Sequence, residues 1–124
     1  MATSQTVTFE AEPGKVWGGV LKIVNAAGYT ITETNAGAKQ IKYEASGGGW
    51  AWAQLLTVSV LAIEDNKTMV TINAKAKGQA TLTEGGQQRK LIKYLIDELA
   101  STFPMAANQP QKAGAPGTFG SLVS

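Results

Sequence analysis

Val70, Ile72, Ala74 and Ala76 alternate with Thr71, Asn73, Lys75 and Lys77. Val7 and Phe9 alternate with Thr6, Thr8 and Glu10. A period of two puts each set on its own face of a strand. One face is therefore apolar, and the other is rich in Thr and Lys. Antiparallel sheets commonly show this contrast, with one side packed and the other wet.

The same pattern marks strands over Gln5–Glu10, Tyr29–Thr34, Lys39–Ala45 and Thr68–Lys77. A longer strand is predicted from Trp50 to Ile63, with room for a bend or a bulge near Gln54. Trp50, Trp52, Leu56, Val58 and Val60 share one parity of that strand, while Thr57, Ser59, Leu55 and Leu61 share the other. Thr57, Ser59, Thr71, Asn73 and Lys75 should mark the uncovered face.

Two segments change to helical spacing. Val16, Trp17, Val20, Leu21 and Val24 recur every three or four residues, which predicts a helix over Pro13–Ala27. Pro13 suits the first helical position, and Glu12 before it can face the unpaired amides there. Gly28 stands where a left-handed cap belongs. The pair Gly18–Gly19 predicts a close approach of this helix to the sheet. Leu91, Ile92, Leu95, Ile96, Leu99 and Phe103 predict a second helix, from Glu84 or Gln87 to Thr102, with Lys93 and Asp97 one turn apart.

An antiparallel sheet must bury its apolar face, and only these two helices can cover it. The expectation is an α+β fold of two layers: an antiparallel sheet of about five strands with both helices on one face, in the order β-α-β-β-β-β-α. Residues 1–103 form one domain in this reading. Residues 104–124, broken by Pro110, Gly114, Pro116, Gly117 and Gly120, form a flexible tail. Phe119, Leu122 and Val123 either dock as a short segment or stay idle.

Composition then narrows the chemistry. The 124 residues carry a net charge of +2 and no cysteine or histidine. That removes disulfides, thiolate catalysis, cysteine-ligated zinc and any histidine relay. Arg89 is the only arginine, which argues against a phosphate-reading surface. No cofactor or metal is expected. The start Met1–Gln5 shows no basic region followed by an apolar run, and no stretch is long enough to span a bilayer, so a cytoplasmic location is expected.

Three places can carry a site. Trp50 and Trp52, beside Gly48 and Gly49, can form an interaction rim if the strand projects past the helices; otherwise strand parity makes them core. Trp17, Tyr43, Trp52 and Leu95 can wall a ligand pocket beneath the helices, or simply fill the core. Gly86, Arg89 and Lys90, at the start of the second helix, offer an anion contact or an ordinary solvated face. The Gly47-Gly48-Gly49 run lacks the Lys-Ser/Thr ending and the helix of a phosphate loop.

The opening strand, then Glu12-Pro13-Gly14-Lys15-Val16-Trp17, then Ala27-Gly28-Tyr29-Thr30-Ile31, resembles the helix-grip or TBP-like arrangement of small bacterial envelope domains such as BamC. The resemblance spans Gln5–Phe103 and is structural; with no cysteine to lipidate, a lipid anchor does not carry over. The strand–Pro–Val–Trp opening is also similar to START-like domains. That resemblance implies lipid or ligand binding, although those folds usually carry more strands around a deeper cavity. Neither resemblance supplies a catalytic residue. The sequence therefore points to a non-catalytic interaction or assembly module, with an unidentified protein partner or a second copy. The alternative is a carrier for a small hydrophobic ligand held between helices and sheet.

Overall fold

In a computed structural model of the chain, residues 2–45, 53–76 and 84–106 are described. The elements are β1 (Ala2–Phe9), α1 (Pro13–Ala27), β2 (Thr30–Asn35), β3 (Gln40–Ala45), β4 (Gln54–Glu64), β5 (Lys67–Ala76) and α2 (Glu84–Ala100). The predicted order and class hold. The strands form one antiparallel sheet in the order β1-β5-β4-β3-β2. Chain neighbours β2 to β5 form a meander, and β1 closes against the last of them.

Register explains the two faces. Val7 lies opposite Val70, Val70 opposite Val60, and Ile72 opposite Val58, which lies opposite Ile41. All five of Val58, Val70, Ile72, Ile41 and Val60 are buried. The helices supply the other half of that core: Val16, Trp17, Val20 and Val24 from α1, and Ile92, Leu95, Ile96 and Leu99 from α2. α2 packs on β1, β5 and α1, while α1 packs on β4 and β5. Thr57, Ser59, Thr71, Asn73 and Lys75 stand on the opposite face, half-buried or exposed. There, Gln40 Nε2 donates to Ser59 Oγ at 3.1 Å, and the Thr6 and Thr71 hydroxyls meet at 3.3 Å.

Several local expectations shift. The cap of α1 is Gly28 with φ 78°, as its position required, but the Glu12 side chain makes no capping bond. It lies 3.8 Å from Lys15 Nζ instead. Gly19 approaches the chain just beyond α2 rather than the sheet: a Cβ there would come within 2.8 Å of Phe103 Cε2. Gly18 is open, with nothing within 4 Å of such an atom. The irregularity in β4 falls between Ala62 and Glu64, not near Gln54, and another falls between Ile31 and Glu33 of β2. The expected Lys93–Asp97 pair forms at 2.7 Å on the surface.

The chain after α2 turns back along β1. Glu10 N–H donates to Pro104 O at 2.8 Å, Ala106 N–H donates to Thr8 O at 2.9 Å, and Phe9 faces Met105. This segment covers one end of the outer edge of β1. Among the described residues, no helix is long and apolar enough to cross a membrane.

Candidate functional site: the free end of β4

β4 is longer than its neighbour β3. Their pairing ends with Gln40 opposite Ser59, and Val60 N–H then donates to Lys39 O at 2.9 Å. Residues 61–64 continue along β5 on one side, with Leu61 opposite Met69 and Ala62 opposite Thr68. On the other side, no described strand accompanies them. Backbone groups alternate sides along a strand, so Ala62 directs its N–H and C=O to the same open side as Val60.

This free edge is also apolar. Leu61 is 56% exposed and Ile63 47%. Scattered surface apolar residues need no explanation, but two on one strand segment with an open edge mark a place where another chain can dock. The turn Asp65–Asn66 and the end residues Glu64 and Lys67 give its tip charge of both signs. Lys39 is the one described non-glycine residue with positive φ, at 53°. That left-handed turn opens β3 opposite Val60, so beyond it β4 runs on with β5 alone.

The sequence-derived site residues are dispersed. Gly48, Gly49, Trp50 and Trp52 lie outside the described residues. Trp17, Tyr43 and Leu95 meet in one buried cluster, 9%, 1% and 1% exposed. Gly86 lies in the first turn of α2, and Arg89 and Lys90 are exposed. Arg89 shares a depression of about 360 Å³ with Gln5, Lys93, Ile96 and Asp97. Asp97 places a carboxylate in it and already holds Lys93, which weakens the hollow as an anion contact.

Other features of the structure have no signal in the sequence pattern. A groove of about 280 Å³ lies between α1 and α2, lined by Gly19, Lys22, Ile23, Ala26, Glu98 and Phe103 among others. Tyr29 stacks on Tyr43 with ring centroids 5.2 Å apart and planes 9° apart. Burial pushes the Tyr43 hydroxyl far above its usual range, and the neighbouring Tyr29 adds to the shift. Tyr29 is raised too, by burial first and then by Tyr94. Beneath α2, Thr3 Oγ1 donates to Gln88 Oε1 at 2.6 Å, and Gln88 Nε2 donates to Gln54 Oε1 at 3.0 Å. Thr3 and Gln54 flank β5 at Ala74 and Ala76, whose small side chains leave room for these amides. The free end of β4 was readable in part: Leu61 and Ile63 share the parity of Thr57 and Ser59. What the pattern could not give was the point at which β3 begins to pair with β4.

No family model matches the chain, and no curated protein matches it either. Solved structures do. A START superfamily protein from Mycobacterium smegmatis is 12% identical, with a TM-score of 0.53 over 81% of this chain and 92% of that one. The Aha1 dimer from Colwellia psychrerythraea is 11% identical, with a TM-score of 0.58 over 82% and 95%. The di-domain ARO/CYC protein StfQ, from the steffimycin biosynthetic pathway, is 13% identical, with a TM-score of 0.64 over 80% of this chain. This chain spans only 44% of that di-domain protein. At these identities the likeness concerns the fold alone, a helix-grip-like α+β fold that this chain shares with those structures.

Proposed function

We propose that this chain is a non-catalytic protein-interaction or assembly domain that docks its partner on the free end of β4. The observation that carries this reading is the coincidence of Leu61 and Ile63, both about half exposed, with an edge that β3 leaves unpaired. Strand addition gains main-chain hydrogen bonds for affinity and side-chain contacts for specificity. The chemical inventory agrees, because a chain without histidine or cysteine has few means of activating a nucleophile. A kinship with BamC-like domains is supported by the Glu12–Trp17 opening.

The test is a photoreactive residue placed at Leu61, with Asn73 on the open sheet face as the control, in the cells that make the protein. Discrete adducts from position 61 and none from position 73 are expected. Adducts from 73 alone, or from neither, would overturn the reading.

The likeness to a START superfamily protein favours a second reading, a carrier of a small hydrophobic ligand between helices and sheet. Trp17, Tyr43 and Leu95 would be its walls, and each is now packed against its neighbours. A ligand would have to part them, which titration followed by indole fluorescence would report as a saturable change. A flat titration with aromatic and acyl probes would remove this reading.

A further inference from the structure

We infer that the occupant of the β4 edge is a second copy of this chain, joined by a two-fold antiparallel pairing centred on Ala62. This rests on the interaction reading above and names its partner. A two-fold axis makes an interface self-complementary, so one strand must satisfy itself when reversed. Residues 61–63 do so, with the register shift toward β5 between Ala62 and Glu64 confining the pairing to these three residues. With Ala62 opposite Ala62 of the second copy, the two residues exchange both backbone hydrogen bonds, as a hydrogen-bonded antiparallel pair does. Leu61 then lies beside Ile63 of the second copy, and Ile63 beside its Leu61. Both exposed apolar side chains are covered in each chain.

Charge supports the same arrangement. In this register the second copy leaves the edge after its Ile63, because Lys39 already fills the place opposite Val60, and its Glu64 then comes beside Lys39. Val60 is where Lys39 stands, its carbonyl accepting the Val60 N–H. Glu64 and Lys39 have no ion-pair partner among the described residues, and the symmetric pairing brings them together twice. Opposed charges at the two ends of a short pairing fix its register. The Lys39 contact also stops the ladder from lengthening, which limits the assembly to two chains. Glu64 and Asp65 at the tip disfavour an anionic membrane as the occupant.

The absence of cysteine permits a direct test, since Ala62→Cys introduces the only thiol. Cα atoms of a hydrogen-bonded antiparallel pair lie about 5.5 Å apart, inside the range of about 4.4–6.8 Å that a disulfide accepts. Under mild oxidation A62C should form linked dimers at least about tenfold faster than N73C, since pairing raises the local thiol concentration. The unmodified chain should sediment with a mass that rises with concentration, and Leu61→Asp should abolish the rise. Equal cross-linking rates together with a monomer at every concentration would overturn the self-pairing, as would association with phosphatidylglycerol vesicles by a chain that stays monomeric. A monomer that still yields position-61 adducts in cells would reject the second copy and keep the interaction reading. Absence of both signals would reject both.

Discussion

Gln88 links β1 to β4 beneath α2: it accepts from Thr3 at 2.6 Å and donates to Gln54 at 3.0 Å. Both glutamines are fully buried. A buried amide is costly unless its hydrogen bonds are made, so this chain of bonds holds the helix in one position over the sheet. Replacing Gln88 by Leu leaves the Gln54 carbonyl and the Thr3 hydroxyl without this partner. The expected loss is about 1–3 kcal/mol in urea unfolding. Leucine at both 54 and 88 should cost less than the sum of the single changes, because the two amides share one bond.

The two adjacent glycines of α1 should respond differently. Alanine at position 18 meets nothing and should gain up to about 1 kcal/mol from helix propensity. Alanine at position 19 would press on Phe103, whose ring contacts Phe9 edge-on at 6.5 Å. That crowding should cancel the gain or reverse it, since overpacking commonly costs about 1–3 kcal/mol. Thermal unfolding of the two variants side by side measures the difference.

Tyr43 should make the domain sensitive to alkali. Its folded pKa is raised, so between the unfolded value near 10 and the folded value the native state holds a proton that the unfolded state has lost. Stability is therefore full below about pH 10 and falls as pH rises beyond it. Tyrosinate absorbance should show one of the three tyrosines ionising only with unfolding. Tyr43→Phe should remove that coupling.

The boundary of the domain can be located by truncation. Ending the chain at Phe103 removes the bonds from Glu10 to Pro104 and from Ala106 to Thr8. Ending it at Ala106 keeps them. The shorter form should lose about 1–3 kcal/mol for the two hydrogen bonds. It should also aggregate more readily, because it bares that edge of β1. Similar behaviour of the two forms would place the end of the domain at Phe103.

The strand and helix order was legible because each element repeats its own period, and α1 begins and ends at the predicted residues, Pro13 and Ala27. The side of the sheet left open was legible for the same reason, from Thr57, Ser59, Thr71, Asn73 and Lys75. Long-range relationships were not. Nothing local says that Phe103 comes to rest on Gly19, or that Met105 returns to Phe9. The site depends on a difference in length between β3 and β4, which is set by the left-handed turn at Lys39. A non-glycine residue in that conformation leaves little trace in sequence, so the exposed Leu61 and Ile63 read simply as the end of a strand.

The most direct measurement is a dilution series followed by amide chemical shifts in two-dimensional NMR, which a 13.0 kDa chain permits. The amides of residues 39 and 61–64 should move with concentration, while those of Thr57, Thr71 and Asn73 stay fixed. Shifts centred on the open face or on the α1–α2 groove, or no shifts at all, would contradict pairing at the β4 edge.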